Sequence, residues 1–204
     1  AIAADYPHGH VIAPHSHAHG QLLYAIEGVM CIDAQGGRWV VPPTRGVWLE
    51  AGIAHQVRMS GDVKMRTVFV VADAGAQLPQ GSCVLGIPPL LRELILAAID
   101  LPPGDGPVSR ASCLRGLLLH ELRALPVLPL HLPLPSDPRL RAVCERLIEA
   151  PDDGRTVDAW AAGAGMSART LHRLFQQQTG MRFGYWRQQV RLLAALERLA
   201  RGDK

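Results

Sequence analysis

Several features that would settle the class of this 204-residue chain at once are missing from it. No stretch approaches the roughly 20 unbroken apolar residues of a membrane span, so no membrane partner is expected. The opening, AIAADYPHGH, has no basic segment followed by an apolar run, which is the pattern of a secretory leader. It also has no initiator Met, so a processed or excised chain is the expectation. The four cysteines, Cys31, Cys83, Cys113 and Cys144, lie 52, 30 and 31 residues apart. Without a close pair, a zinc ribbon or a thioredoxin-type motif is excluded. Scattered single thiols fit a reducing cytoplasm, the expected location. Charged residues are few, 19%, against 48% hydrophobic, which excludes disorder driven by composition. At about 100–200 residues per domain, the length suits one large domain or two small ones.

The net charge is also small at first sight, formally only +3. Its distribution is uneven. Residues 1–135 carry 9 Lys/Arg and 10 Asp/Glu, a net of −1; residues 136–204 carry 12 and 8, a net of +4. From Arg155 to Lys204 the count is 9 against 3, or +6. Such clustering is an electrostatic footprint for a polyanion, or else an ordinary solvated basic surface. A boundary is marked independently. Five prolines fall within the 13 residues Pro126–Pro138, where fixed φ and missing N–H donors exclude helix and central strand. The expected division is a domain over 1–125, an extended linker over 126–135 and a second domain over 136–204.

The first part reads as strands, then helices. Short segments rich in Val, Ile, Trp and Leu, namely Gln21–Ile26, Val29–Asp33, Trp39–Val41, Val47–Leu49, Gln56–Met59 and Lys64–Val71, are separated by turn signals such as Glu27-Gly28 and Gly61-Asp62. That spacing suggests a barrel or sandwich. Two helical patterns follow, Pro88–Ile99 and Ser109–Leu125, whose leucines suggest a dimerisation surface beyond what one barrel flank needs. Tyr24, Trp39 and Trp48 are expected in the core, each also able to line a ligand pocket.

The densest chemistry is His15-Ser-His17-Ala-His19-Gly-Gln21. On a strand, residues i and i+2 share a face, so His15 and His17 project together and Gln21 can join them. A second piece, Glu50-Ala-Gly52-Ile-Ala-His55, adds another imidazole. Imidazoles so arranged suit a divalent transition metal such as zinc or nickel; the alternative is a barrel mouth that binds an organic ligand without metal.

These residues resemble the cupin family. His15-x-His17, three residues, Gln21, six residues, Gly28 matches its first motif in spacing, and Glu50-x-Gly52-x-x-His55 its second, with Glu for Pro. The resemblance implies a small β-barrel with a metal set of His15, His17, Gln21 and His55. Gln21 stands where the family has Glu, which removes an anionic oxygen and weakens the hold on a cation. His19, two residues from His17, could substitute for one ligand or line the pocket.

The second part reads as helices throughout. Ser136-Asp137-Pro138 offers a cap and a first-turn proline. Thr156 caps a short helix over Val157–Ala164, Gly165 stops it, and Ser167 caps a second helix that runs to Gln178. Short helix, turn with Gly, second helix is the spacing of a helix-turn-helix. In the second helix Leu171, Leu174, Phe175 and Gln178 fall on one face; Arg169, His172, Arg173, Gln176 and Gln177 fall on the other. Arg pairs with guanine and Gln with adenine in the major groove, and Arg also grips phosphate.

The order Ala161…Gly165-Met166-Ser167-Ala-Arg169-Thr170-Leu171-His-Arg173-Leu-Phe175, then Gly180-Met181-Arg-Phe183…Trp186, resembles the AraC/XylS transcription regulators. The resemblance covers essentially the whole chain. It implies an α+β architecture with a cupin-type sensor and flanking helices, followed by an all-α reading domain. It also implies a double-stranded DNA partner, a small-molecule effector and a homodimer. The DNA-facing set would be Ser167, Arg169, Thr170, His172, Arg173, Gln176 and Gln177. Arg182 occupies a position where a Ser or Thr cap is common, which leaves that helix start open. The family carries two helix-turn-helix units, and this sequence stops at Lys204 after the joining helix Phe183–Arg201, so Arg191, Leu192 and Leu199 are expected without packing partners. The competing expectation is a metal-dependent cupin enzyme with a helical appendage, for which three histidines and an open metal position would suffice. The missing Glu and the helix-turn-helix argue for a regulator that is not an enzyme.

Overall fold

A computed structural model of the chain describes residues 1–34, 37–71, 78–79, 81–101, 109–125, 127–128 and 131–200. The chain forms two compact units that divide between His131 and Leu132, with Gly37 and Arg38 at the start of the fifth strand counted in the second. The first unit holds strands β1 (Ile2–Tyr6), β2 (Val11–His15), β3 (Gly20–Ala25), β4 (Val29–Ala34), β5 (Gly37–Val41), β6 (Arg45–Leu49), β7 (His55–Ser60), β8 (Val63–Val70), β9 (Cys83–Gly86) and β10 (Val127–Leu128), with helices α1 (Pro89–Ile99) and α2 (Arg110–Arg123). A short strand β11 (His131–Pro133) straddles the division. The second unit holds α3 (Pro138–Glu149), α4 (Val157–Gly163), α5 (Ala168–Thr179) and α6 (Phe183–Ala200).

The strands form two antiparallel sheets. One runs β1-β8-β3-β6-β9-β10 and the other contains β5-β4-β7-β2 in that order. Period-two alternation separates two layers of core. Leu23 and Ala25 of β3 and Val47 and Leu49 of β6 turn into the space between the sheets with Met30, Ile32, Trp39 and Val57. Leu22, Tyr24 and Trp48 turn the other way and meet Leu91, Leu94 and Ile95 of α1 with Leu118 and Leu122 of α2. Every residue of β3 is therefore buried. Most leucines of α1 and α2 cover the sheet, leaving Leu90 and Leu117 exposed. Gly28 closes the β3–β4 turn at φ 76°, and a Cβ there would lie 2.4 Å from the Asp62 carbonyl, so no other residue fits.

The proline-rich stretch is more than a spacer. It supplies β10, antiparallel to β9 through Val127↔Leu85 and Leu128↔Val84, and β11. β10 sits at the outer edge of its sheet. The strands β1 and β2, which the sequence pattern does not announce, pair with β8 and β7.

In the second unit each helix start has a physical cause. The Asp137 carboxylate accepts the Arg139 amide at 2.9 Å, and hydrogen bonding to Arg139 holds that carboxyl down at about 2. Thr156 accepts from Ala159 and Ser167 from Thr170. α4 ends where Gly165, at φ 66°, donates to Ala162 and Met166 donates to Ala161, the paired bonds of a left-handed C-terminal cap. α6 starts at Phe183. Its first turn is held by burial of Phe183 and Trp186 and by the Trp186 indole N–H donating to the Pro133 carbonyl at 2.9 Å.

Candidate functional site

His15 and His55 are direct partners across the β2–β7 pair, at a register shift between Ile12 and His15. Such a bulge re-aims side chains, and here it turns His15 toward His55, ring centroids 4.3 Å apart. His17 lies 4.8 Å from His15 and 5.5 Å from His55. One ring nitrogen from each of the three falls within 4.8 Å of the others. The two pieces of the motif are tied together, because the Gly52 amide donates to the His17 carbonyl at 2.8 Å. Glu50 acts structurally, since its carboxylate accepts the Gly81 amide at 2.7 Å.

Protonation follows from the partners. Nδ1 of His15 lies 2.8 Å from the Ala13 carbonyl, and Nδ1 of His55 lies 3.0 Å from the Ile53 carbonyl. A carbonyl only accepts, so both Nδ1 atoms carry a proton, which in the neutral ring leaves Nε2 with the lone pair a metal ligand needs. Burial, followed by the nearby His15, pushes His17 below the usual histidine range. Burial also lowers His55, against the bond to Ile53 and with help from His15 and His17. Both shifts favour the neutral ring of His17 and of His55.

The imidazoles open on a cavity of about 190 Å³ walled by apolar side chains including Ile12, Leu23, Val57, Met65 and Phe69. Three buried polar atoms at this cavity have no hydrogen-bond partner among the described residues: Gln21 Oε1, His55 Nε2 and Thr67 Oγ1. Their residues are 5%, 3% and 3% exposed, so the partners of these atoms come from whatever fills the cavity, solvent or ligand. Gln21 lines the same cavity as the three histidines. Thr67 is absent from the sequence-derived set, although it is a polar residue at the inward parity of β8 between Met65 and Phe69. The other pocket candidates lie elsewhere. Tyr24 and Trp48 sit in the sheet–helix layer, because their parity on β3 and β6 is opposite to that of the cavity face. Trp39 is core, stacked on His131 at 4.7 Å, and does not line the cavity. His19 is exposed and outside the cluster.

In the second unit, α5 buries Leu171 and Phe175 and exposes Arg169, His172, Arg173, Gln176 and Gln177. Gln178 is exposed rather than inward, and its carbonyl oxygen accepts the Asp137 amide at 2.9 Å, which ties α5 to the start of α3. The Ser167 and Thr170 hydroxyls lie 3.0 Å apart and bond each other at the helix start. Leu192 and Leu199 are exposed, 48% and 69%. Arg191 does have partners, the carbonyls of Pro151 at 2.9 Å and Asp153 at 3.4 Å. No helix among the described residues is long and apolar enough to cross a membrane.

Residues 1–167 match a profile described as an AraC-like ligand binding domain, and residues 160–204 one described as a helix-turn-helix domain. The chain is similar to the HTH-type transcriptional regulator NimR of Escherichia coli K12, 33% identical over 189 residues, which is 93% of this chain and 69% of that protein. It is similar to the HTH-type transcriptional regulator RipA of Corynebacterium glutamicum, 40% identical over 68 residues, 33% of this chain and 20% of that one. Among solved structures, the AraC-like transcriptional activator CuxR aligns over 92% of this chain and 72% of its own, at 15% identity and a TM-score of 0.43.

Proposed function

The chain belongs to the AraC family of transcription regulators, a ligand-binding domain joined to a DNA-binding helix-turn-helix domain, and from that premise we propose that the histidine cavity of the first unit is its sensing site. One observation carries the proposal: Gln21 Oε1, His55 Nε2 and Thr67 Oγ1 are buried around one cavity without partners among the described residues. Leaving a buried polar atom unpaired costs about 1–3 kcal/mol, and a bound ligand would relieve it. His15, His17 and His55 would hold a divalent transition ion, zinc or nickel, with the Gln21 oxygen beside it. The ion would supply a Lewis-acidic open position for an effector donor atom. The cavity is smaller than the roughly 300–1,000 Å³ of sites for drug-sized ligands, so the effector is a small molecule with an apolar body and a polar end. Thr67 would take a hydrogen bond from, or give one to, that polar end.

We assign residues 1–125 to sensing and 136–204 to reading, with 126–135 between them. Arg169, His172, Arg173, Gln176 and Gln177 would face the major groove of duplex DNA, with Ser167 and Thr170 at the phosphate end of the helix. A homodimer, with Leu90 and Leu117 as its exposed apolar contacts, would place two reading units on repeated half-sites in the cytoplasm. The effector acts by binding two states unequally. The enzyme reading is not favoured, because both relatives are named as transcription regulators.

The test is calorimetric titration of the chain with Zn²⁺ and with Ni²⁺, repeated on His15→Ala/His55→Ala. Binding to the wild type and a loss of more than about 100-fold in the double variant are expected. Equal binding to both would discard the metal centre.

A further inference from the structure

The basic residues of the second unit do not all face outward. Arg155, Arg187 and Arg191 belong to the cluster that gives Arg155–Lys204 its excess of positive charge, yet each is engaged within the protein. Arg187 donates from Nη1 to the Arg155 carbonyl at 3.1 Å and from Nη2 to the Asp153 carbonyl at 2.9 Å. One turn along α6, Arg191 donates from Nε to the Pro151 carbonyl at 2.9 Å. Both guanidiniums therefore grip the same turn, the one that joins α3 to α4. The turn is braced from its own side as well. Arg155 pairs with the Asp153 carboxylate, Nη2 to Oδ2 at 2.7 Å, and its guanidinium lies 3.6 Å above the Trp160 ring of α4. Trp160 is buried.

By contrast, the side chains of Arg169, Arg173, Arg182 and Arg198 make no hydrogen bond or ion pair among the described residues. Beside these four, Arg187 and Arg191 form a second set, committed to backbone carbonyls, while Arg139, Arg141 and Arg155 pair with carboxylates. The second set is placed to act on the recognition helix. α6 packs chiefly on α3 and α5. The 151–155 turn leads directly into α4, and α4 packs on α5.

We propose that Arg187 and Arg191 are positioning residues for DNA reading: they fix the 151–155 turn and, through Arg155 and Trp160, the seat of α4 against the recognition helix α5. They act without touching DNA. A planar fork that satisfies two carbonyls at once is a role for Arg that Lys, a point donor, performs poorly.

The proposal rests on the reading of α5 as a DNA-binding helix, and two independent measurements separate the two. The first is hydrogen exchange of the whole chain, without DNA. Arg187→Gln and Arg191→Gln should each raise exchange of the amides of residues 153–160 by about tenfold or more, with the amides of α5 near Leu171 and Phe175 unchanged. Arg187→Lys should fall between. Unchanged exchange at 153–160, or equal loosening throughout the unit, overturns the clamp.

The second uses a duplex selected by the wild-type chain from a random library, compared with an unselected duplex over a range of salt. A positioning role predicts that the variants lose about tenfold in the ratio of selected to unselected affinity, with the salt slope unchanged. A phosphate contact would instead weaken both duplexes alike and flatten the slope by about 0.9 per lost contact, and that result overturns the proposal. If the wild type selects no sequence, the reading of α5 fails, and the exchange measurement alone decides the clamp.

Discussion

In the strand unit, Gln21, His55 and Thr67 bury polar atoms that nothing among the described residues satisfies, and all three border one cavity. In the helical unit the polar groups behind the reading face are mostly consumed, the buried Trp160 indole N–H apart: Asp137, Thr156 and Ser167 each close a helix start, Gln178 ties α5 to α3, and Arg187 and Arg191 hold a turn. What remains free there, Arg169, Arg173, Gln176 and Gln177, points to solvent. One unit is therefore organised around an interior deficit and the other around an exterior surplus. A buried deficit suits a small ligand that arrives desolvated. A convex surplus of cations and amides suits a partner that brings its own grooves and charges. The difference says more about the two partners than the net charge of +3 does.

The largest way to disturb this contrast is to fill the deficit. Gln21→Glu restores an anionic oxygen beside His15, His17 and His55. Zn²⁺ affinity by calorimetry should rise by about tenfold or more, since a charged donor replaces an amide. The same change leaves a buried carboxylate without a partner when no ion is bound, so the metal-free chain should lose about 1–3 kcal/mol in urea unfolding. A variant that is tighter for metal and weaker without it supports the interior reading. A variant unchanged in both would mean that Gln21 does not face the bound ion.

On the other unit, removing a free cation tests the surplus. Arg173→Ala should cost about 1–3 kcal/mol on a selected duplex if the side chain pairs bidentately with a base. Stability should change little, because Arg173 is exposed and its side chain unbonded. Binding unchanged on all duplexes would remove Arg173 from the interface.

Much of this contrast is legible in the sequence, and the gaps have physical reasons. The spacing of His15, His17, Gln21 and His55 survives folding because a two-residue period on β2 and a matched register with β7 leave little freedom. Thr156, Gly165 and Ser167 bracket α4 and the start of α5 because capping is a local event. Residue type alone makes Tyr24 and Trp48 pocket candidates, yet strand parity already opposes them to Gln21, Leu23, Val47 and Leu49, and parity decides the face. Thr67 stands out less, since one hydroxyl in an apolar strand carries no signal until its neighbours are known to line a cavity. β1 is weak in sequence: Ile2-Ala-Ala-Asp-Tyr6 has little strand propensity, and only pairing along the edge of β8 makes it a strand. The two sets of arginines are indistinguishable by counting, because what separates Arg187 from Arg173 is the position of carbonyls 32 and 34 residues away in the chain.

The smallest expected effect concerns Ser167, where the two roles found in the helical unit meet. Its hydroxyl accepts the Thr170 amide at 3.2 Å and lies 3.0 Å from the Thr170 hydroxyl, so its first duty is to the start of α5. Loss of such a cap costs about 1 kcal/mol of stability. Ser167→Ala should therefore lower the urea midpoint modestly, while Ser167→Asp, which caps equally well, should keep it. On DNA the two variants should part company. A side chain that only caps leaves affinity unchanged in both. One that also reaches phosphate makes the aspartate variant the weaker binder, because a carboxylate caps a helix but repels a phosphate. Loss of binding in Ser167→Asp with stability intact would move Ser167 from the consumed groups to the exterior surplus, and the line between the two sets would run through this residue.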